Sequence, residues 1–176
     1  MRKNILVLAL VSALANQAHS FDLKDSIYEE AGLRYNIDPT LLYAIALVES
    51  AVDSSELGMV NPYPWALRTD KPFYGKTRRE AEIELRRLLK AGRSVDIGLM
   101  QINSRWHKHR VTNVLDLLDP RTNVMTGAQI LSERLKASPD DSIKAVANYH
   151  SFDPERGRWY ARHVFCIWQK LKEVPK

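Results

Sequence analysis

The stretch from Asp38 to Ser50 constrains the fold more than any other. Asp38-Pro39 reads as a helix N-cap followed by the first helical residue, since Asp accepts from the orphan N–H groups and Pro has no N–H to lose. From Leu41 to Val48 the residues run Leu, Leu, Tyr, Ala, Ile, Ala, Leu, Val, apolar on every side of a helix and not along one stripe. That pattern belongs to a helix through the middle of a core. Glu49 follows at once, and Ala46 and Ile45, three and four residues back, put its carboxyl over an apolar surface. A carboxyl so placed is a candidate general acid, because an apolar setting favours the form that holds its proton. Locally, Glu49 reads equally as the point where a buried helix reaches water, so the rest of the chain has to decide.

Three more starts of the same kind follow, at Asp119-Pro120, at Ser138-Pro139 with Asp141, and at Asp153-Pro154. Four of them in 176 residues leave little room for a large sheet. A first amphipathic helix is expected from Phe21 to Tyr35, closed by Asn36. Another is expected from Thr77, where Glu80 completes a capping box, to Gly92. Between Asp53 and Gly75 prolines and glycines break any helix, and a short β-hairpin with its tip near Asp70 is expected. Its aromatics, Tyr63, Trp65, Phe73 and Tyr74, either face a sugar ring or form a small satellite core. The expected fold class is therefore mainly α (α+β), one helical domain with a small β-hairpin insertion.

Residues 1–20 read as an export signal: Arg2 and Lys3, an apolar run from Ile5 to Ala15, then Ala18-His19-Ser20 before a cut. The run is too short to cross a bilayer. A soluble product outside the cytoplasm is expected, with its domain at residues 21–176. Cleavage removes Arg2 and Lys3 and takes the formal charge from +5 to +3. So mild a bias suits a carboxylate-bearing polymer and falls short of a nucleic-acid footprint. Cys166 is the only cysteine, which excludes an internal disulfide; between Phe165 and Ile167 it is expected to be a small buried side chain. One Cys and five scattered His give no zinc-ligand spacing, so neither metal nor cofactor is expected.

Three stretches go beyond secondary structure: Val48-Glu49-Ser50, then Asp96-Ile97-Gly98-Leu99-Met100-Gln101-Ile102-Asn103, then Ala147-Asn148-Tyr149-His150-Ser151. In the second, Gly98 permits a close backbone approach, and Gln101 and Asn103 carry paired amides suited to the hydroxyl and N-acetyl groups of an amino sugar. In this order and spacing the three resemble the motifs of the soluble-type lytic transglycosylases, members of the lysozyme-like superfamily. Glu49-Ser50 matches the first motif and Gly98 to Gln101 the second. Tyr149 matches the third, where His150-Ser151 replaces the commoner Asn and small residue. That variant, and the aromatic insertion between the first two motifs, resemble the transglycosylases of conjugative and type IV secretion systems. The resemblance spans about residues 22–172.

What the resemblance implies is specific. Glu49 would be the sole catalytic carboxylate, first protonating the oxygen between N-acetylmuramic acid and N-acetylglucosamine, then accepting the proton of the muramyl C6 hydroxyl as it attacks C1. The product ends in a 1,6-anhydro ring. Met100, Gln101 and Tyr149 would line the sugar site, with Ser50, Asn103 and His150 as further substrate contacts. Implied partners are peptidoglycan strands and the proteins of a secretion or conjugation machine, with the chain itself a periplasmic monomer. Two rivals stay open. One is a hydrolysing goose-type muramidase in which Asp53, Glu56 or Asp96 activates water. The other is a non-catalytic peptidoglycan-binding assembly protein.

Overall fold

The computed structural model describes residues 21–54 and 59–174. The expected signal at 1–20, together with Glu56, lies outside the described residues, as does the side chain of Asp53. Among the described residues the chain runs α1 (Ile27–Tyr35), α2 (Pro39–Ser50), β1 (Ala51–Ser54), β2 (Met59–Pro62), β3 (Ala66–Arg68), β4 (Pro72–Tyr74) and α3 (Arg78–Lys90). It continues through β5 (Asp96–Ile97), β6 (Ile102–Asn103), α4 (Ser104–His107), α5 (Pro120–Ala137), α6 (Ser142–His150) and α7 (Pro154–Glu173). β1 and β2 pair antiparallel, and a second antiparallel sheet has the order β4-β3-β5-β6. The expected hairpin is β3–β4, which turns at Thr69-Asp70-Lys71. The mainly α class holds.

Helix α2 is the axis of the core. Leu42, Ala44, Ile45 and Ala46 have no exposed surface and Leu47 has 1%. Burying each of the larger three contributes about 2 kcal/mol. Asp38 caps the helix by accepting from Thr40 N at 2.8 Å, and its other oxygen accepts from Trp168 Nε1 at 3.0 Å, which ties the start of α2 to α7. Tyr160, Val164, Ile167 and Leu171 turn inward from α7, three and four residues apart as one helical face requires. An acidic substitution at Ile45 would bury an unpaired charge here and undo the packing.

Several boundaries differ from the sequence reading, each for a local reason. The first helix starts at Ile27, not Phe21: Ser26 Oγ accepts from Glu29 N, and the Glu29 carboxylate reaches back to Asp25 N at 2.7 Å. Ser138-Pro139 ends α5, and the cap of the next helix is Asp141, which accepts from Lys144 N. Leu33, Ile83 and Ile143, apolar residues within the amphipathic helices, are nonetheless 80%, 62% and 58% exposed. Cys166, expected to be buried, is exposed on the outer side of α7, because the inward stripe of that helix passes through Val164 and Ile167. The hairpin aromatics form a satellite cluster: Tyr63 meets Trp65 and Tyr74 edge to face, and its hydroxyl donates to Gly75 O at 2.7 Å.

Candidate active site

The last turn of α2, the β3–β5–β6 edge and the end of α6 surround a cleft of about 860 Å³. Glu49 enters it from α2 and is only 7% exposed, so its carboxyl sits at the cleft wall and not in bulk water. Its backbone carbonyl accepts from Arg68 Nη2 at 3.2 Å, which fixes the helix end against β3.

Three side chains face the Glu49 carboxyl. His150, at the C-terminal end of α6, brings Nδ1 to 3.7 Å from Glu49 Oε1, with its ring stacked on Tyr160 at 4.4 Å and 6°. Tyr160, on α7, is 1% exposed; its hydroxyl lies beside the Glu49 carboxyl without closing a hydrogen bond of normal geometry and has no other partner among the described residues. Tyr149 donates its hydroxyl to Met100 O at 2.9 Å. Burial, with Glu49 adding to it, raises both phenols well above their ordinary range, so both keep their protons.

The second motif forms the floor. Gly98 has φ +76°, and a Cβ there would lie 2.4 Å from the Asn123 amide nitrogen, so the turn and the amide can coexist only with glycine. Asn123, 1% exposed on α5, accepts from Met100 N and donates to Ile97 O and Leu117 O, all at 2.8 Å. Gln101 sits at φ +47°, a left-handed conformation that costs a non-glycine residue on the order of 1 kcal/mol. Its amide nitrogen donates to Gly98 O at 2.9 Å and to Ala66 O at 3.3 Å, while its carbonyl oxygen is buried without a partner.

Asp96 is the other carboxyl in the cleft. It accepts from Asn103 Nδ2 at 2.6 Å, and the Asn103 oxygen accepts from Ser94 Oγ, Arg105 N and Trp106 N. Burial raises the Asp96 carboxyl above its ordinary range and the nearby Glu49 charge adds to this, while the bond from Asn103 opposes it.

Of the residues singled out from sequence, Glu49, Gln101, Asn103, Tyr149 and His150 meet in the cleft. Ser50 and Met100 do not. Ser50 is 1% exposed, its hydroxyl donating to Leu99 O at 2.8 Å and accepting from Tyr63 N at 3.1 Å, which pins the second motif to α2. Met100 has no exposed surface and packs on Gly127, where a Cβ would meet its side chain at 2.8 Å; only its backbone serves the site. Asn103 keeps both ends of its amide occupied within the fold. Sequence reasoning missed Arg68, Tyr160, Asn123 and the cleft aromatics Trp106 and Phe152, both 69% exposed. Tyr160 sits in a helical apolar stripe like any core tyrosine, and Asn123 acts on a loop 23 residues away. Neither carries a local signal.

The family pattern described as Transglycosylase SLT domain matches residues 26–163. The invasion protein IagB of Salmonella typhi is 31% identical over 153 residues, covering 82% of this chain and 76% of that protein. IagB of Salmonella typhimurium is 29% identical over 150 residues, covering 82% and 74%.

Proposed function

The chain belongs to the transglycosylase SLT domain family, and from that premise we propose that it cleaves the bond between N-acetylmuramic acid and N-acetylglucosamine with formation of 1,6-anhydro ends. The observation that carries this reading is the setting of Glu49. It is a nearly buried carboxyl, set on the wall of a cleft of about 860 Å³ and flanked by phenols that stay neutral.

In the proposed reaction the Glu49 proton passes to the glycosidic oxygen as the C1–O bond breaks, and the N-acetylglucosamine hydroxyl leaves. The carboxylate left behind takes the proton of the muramyl C6 hydroxyl as that oxygen bonds to C1. Proton and oxygen balance without water, and Glu49 ends as it began. Tyr160, a neutral phenol, is a donor beside the charge that forms on Glu49 halfway through, while Tyr149 stays bonded to Met100 O.

The setting of this reaction is outside the cytoplasm, where peptidoglycan lies, and residues 1–20 fit an export signal for a periplasmic protein. Two relatives carry the name invasion protein, and the Tyr149-His150-Ser151 variant resembles that of enzymes tied to envelope-spanning machines. Local opening of the wall for such a secretion or conjugation machine is the role we assign. Asp96 favours a second reading, hydrolysis by a carboxylate-activated water. Glu49→Gln tests the shared premise: it is expected to abolish release of soluble fragments from purified sacculi while binding to them persists. Undiminished release would remove Glu49 from the catalytic role.

A further inference from the structure

The cleft is electrically lopsided in a way the reaction itself does not require. Glu49 and Asp96 share one part of it with Arg68; Arg110, Arg134 and Arg156 line another. The chain joins the two parts. His150 touches Glu49, Ser151 is extended, and Phe152 carries the Arg134 guanidinium 4.9 Å above its ring. The ring that carries the cation is thus two residues along the chain from the histidine that touches the acid, and both line one cleft.

The arginines differ in what occupies them. Arg110 holds Glu133 through both guanidinium ends at 2.6 Å and donates its Nε to His107 at 3.2 Å. Arg134 makes no salt bridge among the described residues, and its Nε is buried without an acceptor. An arginine seated over an aromatic ring and making no salt bridge is set up for a planar anion. The local field is positive. His107 next to it is pushed down to about 4, by burial first and then by Arg110, Arg134 and His109.

We propose that Arg134, held on Phe152 and supported by Arg156, binds a carboxylate of the peptide stem carried by the muramyl residue. This rests on the transglycosylase reading of the cleft and adds the part of the substrate that decides its orientation. The stem starts from the lactyl ether of the muramyl ring, beside the scissile bond, and carries free carboxylates along a short peptide. The Arg134 guanidinium attracts those charges, so a strand enters with its stem toward Phe152.

The experiment compares sacculi bearing their stems with the same sacculi stripped by a muramoyl-alanine amidase, using the wild type, Arg134→Gln, Arg134→Lys and Arg156→Gln. The readout is the ratio of kcat/KM on stem-bearing strands to that on stripped strands. Arg134→Gln is expected to lower this ratio about tenfold, the scale of one charge-assisted hydrogen bond. Arg134→Lys should restore a large part of it. Arg156→Gln, at an exposed position outside the packed core, should lower it about threefold. A ratio unmoved by all three variants overturns the proposal, whatever the absolute rates. Calorimetric binding of a stem-bearing muropeptide and of its peptide-free disaccharide separates the two readings. Should the wild type cut neither substrate, an Arg134-dependent preference for the stem-bearing ligand upholds the stem site while refuting the enzyme assignment, and its absence refutes the stem site as well.

Discussion

Asn123→Ala removes a side chain that touches no substrate in the proposed reaction, yet it should be among the most damaging single changes in the molecule. The amide makes three 2.8 Å hydrogen bonds at a residue 1% exposed, one from Met100 N and two to the carbonyls of Ile97 and Leu117. Alanine leaves all three backbone groups without that partner. An orphaned buried group costs about 1 to 3 kcal/mol, and a water admitted to the vacated space would recover part of it. The expected loss is about 4 kcal/mol. With a urea dependence of about 2 kcal/mol per molar for a domain of this size, the unfolding midpoint should fall by about 2 M. Asn123→Leu, which fills the space without the bonds, should lose nearly as much. A loss below about 1 kcal/mol for alanine, or a leucine variant as stable as the wild type, would refute the claim that this amide locks the second motif to α5.

Ser50→Ala should lower stability by about 1 to 2 kcal/mol through the lost contacts to Leu99 and Tyr63; urea unfolding measures this, and an unchanged KM for sacculi would confirm that the hydroxyl is a staple and not a sugar contact. Asp96→Asn tests the raised carboxyl. Asp96 binds its proton more tightly folded than unfolded, so the wild type loses stability as pH rises from about 4, the unfolded value, through the higher folded one. The asparagine variant lacks that loss. Its advantage in thermal melts should grow across this window and vanish below about pH 3, whereas a difference constant with pH would contradict it.

What was legible in the sequence was whatever a few neighbouring residues decide. Asp38, Asp119 and Asp153 start their helices because cap and proline act within one turn. Asp70 marks the hairpin tip because only a tight turn fits between Leu67 and Phe73. Glu49 could be singled out because its burial follows from the apolar helix that carries it. The illegible part is long-range. Ser50 and Met100 belong to motifs that border the cleft, yet the packing of α2 on the second motif and of Met100 on Gly127 turns both side chains inward. Tyr160 reaches Glu49 only because α7 lies against α2. Leu33, Ile83 and Ile143 stay exposed because each helix buries a narrower stripe than its apolar residues would allow.

The central claim is that one carboxyl, Glu49, cuts the strand without using water. Digestion of purified sacculi in heavy-oxygen water, followed by mass spectrometry of the released muropeptides, tests it most directly. The expected products are 1,6-anhydromuramyl ends carrying no heavy oxygen. Reducing ends that have taken up the heavy isotope would contradict it and make the enzyme a hydrolase.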